Sequence, residues 1–420
     1  MSITAQPNPV AGVPTATASL SQQARTLAPW AVGIAAIGIL VYAYSVSANL
    51  AIYWALGLST GLVLQRGRLC FAGAFRDLYL MRNGSMMRAV IVGLAVLTPV
   101  FALIESKAVP NPAFGAVAQG AHVIPLGMNV IAGGLLFGIG MVVAGGCVSG
   151  TLYRIGEGYL ASWASLLGIL IGLTASAQTW NLWYTLTIEN APMGWLPTSL
   201  GYGGAVALTL AMLAVAYVAV LWWESRGATP GFHMPAPKAP PPPVTLGDRL
   251  QVIRKNVLVT GWTPLVAVAA LSFLNVAAFL IGNPLGVTGE LGAWAGRAAA
   301  VIGIQQPTLL GADALGGCMM LLGSGWITGS TMLDGGLVIG ALLAALAARE
   351  FKLRAPKQKR RYVQSVGGGL LMGYGAGIGV GCTLGAFFSS IPSLGLSGWL
   401  FGLALLAGAG IGTQIIRRIA

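Results

Sequence analysis

The residues of this chain best suited to chemistry are its four cysteines, Cys70, Cys147, Cys318 and Cys382. Cys147 and Cys382 close the segments Gly145-Gly146-Cys147 and Val380-Gly381-Cys382, where a helix is expected to unwind. Glycine there lets backbone or substrate approach closely. A short helix restarting after the break would present free N–H groups and its positive dipole end to an anion. A thiol beside such donors is soft and polarizable, suited to a sulfur- or selenium-containing anion. The cysteines are too few and too far apart for a disulfide framework, and none forms CxxC. With two histidines in the chain a zinc site is not expected, and no cofactor is. A single buried cysteine ordinarily packs as a small hydrophobe. Two at equivalent places in a repeat point to function.

Other candidates are weaker. Cys70 lies between Arg68 and Arg76, which would draw an anion to an inner mouth or serve as ordinary positive-inside charges. Cys318, in Gly316-Gly317-Cys318, belongs to a glycine-rich segment expected toward the outside. Glu157 follows the Cys147 break and is expected to pair with Arg154, or to assist proton coupling. Glu290, Asp313 and Asp334 are carboxylates in or beside apolar segments, where charge is costly. Placed near the outer interface, they are expected to be solvated. His122 and His233 fall in loops and receive no role.

The elements that must hold these residues follow from composition. Of 420 residues, 56% are apolar and 8% charged, and the mean hydropathy is +0.79. That balance excludes an ordinary soluble domain and a disordered chain. Spans of about 20 apolar residues are expected near 30–47, 50–65, 88–106, 127–145, 160–178, 203–223, 258–281, 332–348, 363–381 and 395–416. Pieces near 68–80, 147–156, 284–300, 306–323 and 383–391 read as too broken or polar to cross. Residues 1–29 read as a polar, disordered cytoplasmic tail without signal-peptide character. A first transmembrane half (30–223) and a second (258–420) are joined by a proline-rich basic linker over 224–257, with Pro240-Pro241-Pro242-Pro243 at its centre. The formal charge of +13 is spread in short clusters between apolar segments, which argues against nucleic-acid binding.

Orientation follows from the same charges. With these spans, all of the 23 basic residues except Lys107 and Arg297 fall on one face, together with both termini. The positive-inside rule makes that face cytoplasmic. Gly133 to Cys147 and Gly368 to Cys382 both open on Gly-Gly-Leu-Leu and close on cysteine. In the expected topology the first runs inward and the second outward. Inverted repeats with interrupted helices point to a transporter whose site lies near the midplane. The expected fold is therefore an all-α polytopic membrane protein. It has about ten transmembrane helices in two inverted pseudo-symmetric repeats, with short re-entrant helices.

At these residues the chain resembles the YeeE/YedE family of membrane proteins, which includes thiosulfate importers and proteins linked to selenium metabolism. The resemblance rests on Arg68-Leu69-Cys70-Phe71 with Ala74-Phe75-Arg76-Asp77, and on Gly145-Gly146-Cys147 with Tyr153-Arg154 and Glu157-Gly158. In the second half it rests on Leu333-Asp334-Gly335-Gly336, Glu350-Phe351-Lys352-Leu353-Arg354, and Gly381-Cys382 with Ala386-Phe387-Phe388. It implies a narrow path in the bacterial inner membrane on which thiosulfate passes by thiol–sulfur hydrogen bonds without covalent change. Cys147 and Cys382, with Gly146 and Gly381, match the family's pathway motifs, and Cys70 matches a cysteine nearer the cytoplasmic exit. Cys318 aligns with no motif. The resemblance also implies a small TusA-like sulfur-carrier protein as cytoplasmic partner. A selenium oxyanion or another sulfur compound as cargo, and a membrane sulfurtransferase carrying a persulfide, stay open as alternatives.

Overall fold

The computed structural model describes residues 16–114, 116–226, 261–312, 315 and 326–419, with side chains over those from Leu27 to Arg418 other than Phe114. Every regular element among them is helical. The first half contains α1 (Ala16–Val46), α2 (Ala48–Gly67), α3 (Phe71–Leu80), α4 (Ser85–Ala108), α5 (Met128–Ala144), α6 (Val148–Gly156), α7 (Leu160–Trp183) and α8 (Pro197–Ser225). The second contains α9 (Pro264–Ile281), α10 (Thr288–Val301), α11 (Gly329–Ala347), α12 (Arg360–Ile378) and α13 (Leu396–Ile419). Short π-helical segments occupy Tyr184–Ile188 and Thr383–Ser389.

Nine helices or continuous helix pairs among the described residues are long and apolar enough to cross a bilayer. Counting α12 with the π segment, bent by 50°, gives up to ten. Each expected span coincides with a helix, and the short pieces at 68–80, 147–156, 284–300 and 383–391 are short helices. α1 starts at Ala16, inside the stretch expected to be irregular. The linker from residue 227 on, residues 306–323 in the main, and Cys318, Asp313 and His233 lie outside the described residues.

Glycine sets how closely the long helices approach. Gly57 and Gly61 of α2 face Gly336 and Gly340 of α11, and Gly168 and Gly172 of α7 face Gly369 and Gly373 of α12. Glycines four apart let two backbones touch, which is how helices associate where lipid supplies no hydrophobic drive. A Cβ on Gly61 would stand 2.0 Å from the Leu337 carbonyl oxygen, and one on Gly373 2.1 Å from that of Ile169. Neither leaves room for a methyl group.

The packing partners repeat across the halves. α2 packs along α11 as α9 does along α4, and α7 along α12 as α13 does along α5. α3 touches α13 as α10 touches α7, and α6 touches α7 as the π segment touches α13. α1 and α8 flank this bundle, with Trp30, Ile34, Tyr44, Val215 and Trp222 exposed as a lipid-facing surface requires.

Candidate functional site

Three helix breaks share one local design. α2 ends at Gly67, Arg68 turns through the left-handed region at φ 44°, and Cys70 precedes α3. α5 ends at Ala144, Gly145 turns at φ 84°, and Cys147 precedes α6. α12 ends at Ile378, Val380 and Gly381 follow at φ 54° and 154°, and Cys382 precedes the π segment. A β-branched valine in the left-handed region is a true outlier, so surrounding structure must hold the last break in place. In each case the cysteine is extended and caps the next helix. The first N–H groups of a helix lack intrahelical partners. These N–H groups are turned toward the thiol of the capping cysteine.

The three described cysteines are reduced and at most 5% exposed. The Cys70 and Cys147 side chains interact thiol to thiol. Cys70 also meets the backbone of Gly73, and Cys147 that of Gly150 and the Ser149 hydroxyl at 3.4 Å. A Cβ on Gly150 would stand 3.0 Å from the Cys70 sulfur and 3.2 Å from the Cys147 sulfur. Cys382 meets the backbone of Leu384 and Gly385, and also the Val287 backbone and Thr288 side chain at the start of α10. Phe71, beside Cys70, packs on Phe388 with ring centres 5.5 Å apart, and Phe75 on Phe387 at 5.7 Å. The short segment after Cys70 therefore touches the one after Cys382 through aromatic rings.

The expected supporting residues take separate places. Arg68 is mostly exposed and pairs with Glu350 at 3.3 Å. Arg76 pairs with its neighbour Asp77 at 2.8 Å. Arg154 does not hold Glu157, because its guanidinium donates to the Gly145 carbonyl and caps the end of α5. Glu157 accepts instead from Gln65 at 3.1 Å. Burial raises its carboxyl above the ordinary range, against the Gln65 donor and the Arg154 and Arg354 charges. Gln65 also donates to Glu350 at 3.0 Å, and Glu350 accepts from the fully buried Arg66. Burial alone would raise Glu350, but Gln65, Arg66 and Arg68 hold it below its ordinary value.

Two further corrections concern polar groups. Glu290 and Asp334, expected to be solvated, are 6% and 1% exposed. Glu290 is satisfied by Thr328 at 2.7 Å, Thr331 at 2.8 Å and Arg297 at 3.6 Å. Asp334 lies on the inward face of α11, its carboxyl oxygens without hydrogen-bond partners. His122, assigned no role from sequence, is buried against the third break. It is hydrogen-bonded to the Val380 backbone, and its ring edge would lie 3.2 Å from a Cβ on Gly381. Burial lowers its pKa to about 4, so the ring is neutral. A histidine in an aperiodic loop gave no sequence signal; its only hint was a titratable group in an otherwise apolar stretch.

Soft sulfur and backbone N–H groups thus meet at each break. Comparison with known proteins finds transporters named for a sulfur anion among the relatives. The thiosulfate transporter TsuA of Spirochaeta thermophila is 29% identical over 361 residues, covering 84% of this chain and 94% of the relative. The thiosulfate transporter TsuA of Escherichia coli is 28% identical over 359 residues, covering 82% and 88%. The probable transporter YedE of Salmonella typhimurium is 32% identical over 171 residues, 40% of each chain. A family profile described as sulphur transport matches residues 66–411, from the first broken helix into the last long one. The chain thus belongs to the sulphur transport family, that of the YeeE/YedE proteins.

Proposed function

We propose that this protein imports thiosulfate across the inner membrane, handing the anion between thiols by S–H···S hydrogen bonds without covalent change. The observation that carries this reading is the Cys70–Cys147 thiol contact at the start of two short helices, with Cys382 at the start of a third. Sulfur is large and polarizable, so a thiol recognises the terminal sulfur of thiosulfate while helix N–H groups recognise its oxygens. The matched packing of the two halves supports the inverted-repeat reading, and the likeness to two transporters named for thiosulfate supports the cargo. On this reading the Arg- and Lys-rich face and both termini are cytoplasmic, and that face receives a TusA-like carrier. Cys318 stays a candidate third thiol outside the described residues.

The test is uptake of radiolabelled thiosulfate into proteoliposomes, with and without imposed ion gradients. Cys147→Ala and Cys382→Ala should each abolish uptake at unchanged protein level. Uptake at the unsubstituted rate by both variants defeats the proposal. Mass spectrometry showing a sulfurated Cys147 or Cys382 during turnover would replace it with the sulfurtransferase reading.

A further inference from the structure

Beyond the thiols, on the face bearing the arginine and lysine clusters, a cavity of about 320 Å³ opens between α6, α7, the 354–356 segment and the start of α12. Three guanidinium groups line it, those of Arg154, Arg354 and Arg361, and no carboxylate does. Arg154 and Arg361 each spend some donors on the carbonyls that end α5: Gly145 for the former, Ala144 at 3.2 Å for the latter. Arg354 donates to the Glu350 carbonyl at 3.1 Å and lies 4.6 Å over the Tyr159 ring. A guanidinium carries five N–H donors, so all three keep donors beyond these bonds. Glu157, which accepts from Gln65, feels the charges of Arg154 and Arg354 but does not line the cavity, and Arg154 also faces the side chains of Tyr153 and Cys70. Arg76 adds positive charge on Arg361. The cavity is therefore walled by more cation than its own protein neutralises.

A second observation points to a ligand. Ser165 lines the cavity, is 3% exposed, and its hydroxyl has no hydrogen-bond partner. A buried hydroxyl without a partner is destabilising, and an oxygen acceptor in the cavity would satisfy it. Gly146 lines the same space, one residue from the Cys147 thiol. Arginine forks match tetrahedral oxyanions.

We propose that this cavity is a binding site for a free tetrahedral oxyanion, of the sulfate and thiosulfate class, held by Arg154, Arg354, Arg361 and Ser165 and separate from the thiols. The proposal deepens the import reading, and rests on it in one respect: on an inward route this is the station after the thiols. Here the sulfo end is held by cations after the sulfur end leaves the thiol. An oxyanion already present on that face would occupy the station and slow the next arrival.

The experiment uses the full chain in nanodiscs of phosphatidylcholine alone, with sulfate as the probe and binding followed by calorimetry and thermal melting. Sulfate should bind saturably and raise the melting temperature. Arg354→Gln should weaken binding about tenfold or more, as loss of a charge-assisted contact does. Ser165→Ala, which removes one oxygen and keeps the fold, should weaken it several-fold and decides the matter if the arginine variant does not fold. Cys147→Ser, which disables the thiol step, should still bind sulfate. Absence of sulfate binding, or binding indifferent to both cavity substitutions, overturns the proposal. So does stabilisation only by short-chain phosphatidylglycerol through Arg354, which would make the cavity a lipid headgroup site. Lost uptake with intact sulfate binding would count against the import reading alone, and intact uptake without sulfate binding against this one alone.

Discussion

Cys70 and Cys147 touch thiol to thiol although each caps a different broken helix, and the bare α-carbon of Gly150 is what makes room for both sulfurs. Gly150→Ala would put a methyl carbon 3.0 Å from one sulfur and 3.2 Å from the other. Overpacking a rigid interior costs about 1–3 kcal/mol, and here the atoms that yield are the thiols themselves. We expect the variant to fold, melt a few degrees lower, and lose most thiosulfate uptake. Parallel melting and uptake assays check this; full uptake would mean the thiol pair does not carry the anion.

His122 should give the fold a pH dependence in mild acid. Its pKa is about 4 in the folded protein because burial disfavours the imidazolium, against a hydrogen bond with the Val380 backbone that favours it. An unfolded chain takes up that proton near the ordinary value of about 6.5. The unfolded state therefore binds more protons between those values. The His122 contribution is intact above about pH 6.5 and is lost progressively as pH falls toward 4. It amounts to roughly 3 kcal/mol if complete. Melting temperature against pH should fall over that window, and more shallowly for His122→Gln.

Glu350 should act at lower pH. Its carboxyl is held below its ordinary value by Gln65, Arg66 and Arg68 despite partial burial. Its stabilisation is present above the ordinary carboxylate range and is lost as pH drops through the lowered folded value. Glu350→Gln removes the charged partner of the buried Arg66, which also donates to Gln65, and a hydrogen bond between charged groups is worth about 1.5–3 kcal/mol. A loss of about 2 kcal/mol is expected at neutral pH, shrinking in acid. Chemical denaturation at two pH values measures the difference.

The glycine contacts between long helices should tolerate nothing larger. Gly61→Ala places its methyl 2.0 Å from the Leu337 carbonyl oxygen, and Gly340→Ala 2.1 Å from that of Leu58. Both atoms met are backbone and cannot rotate away. Each substitution should lower the melting temperature more than Gly367→Ala, where a Cβ meets nothing within 4 Å.

Sequence carried the fold further than the site. Long apolar runs locate the spans because hydrocarbon thickness imposes them, and glycine beside Cys147 and Cys382 marks where two helices stop. The contact between Cys70 and Cys147 is not legible in the sequence, since it arises when α6 packs on α2 and α3 packs on α5. Arg354 and Arg361 read as two more positive-inside charges; only the packed structure turns them toward Ser165. Hydropathy alone puts Glu290 and Asp334 at a wet interface, because a span's average does not say which of its sides faces the interior; both are buried. Glu157 was matched to Arg154 by proximity in sequence, whereas the end of α5 competes for that guanidinium and wins.

The paired glycine ridges also bear on how cargo moves. α2 with α11, and α7 with α12, meet main chain on main chain, so sliding either pair would drive carbonyl oxygens into α-carbons. Such a frame resists the rocking of whole halves. The short helices after Cys70 and Cys382 meet instead through side chains, the Phe71–Phe388 and Phe75–Phe387 rings. A ring contact rearranges by rotation about single bonds, on timescales far shorter than the sliding of packed helices.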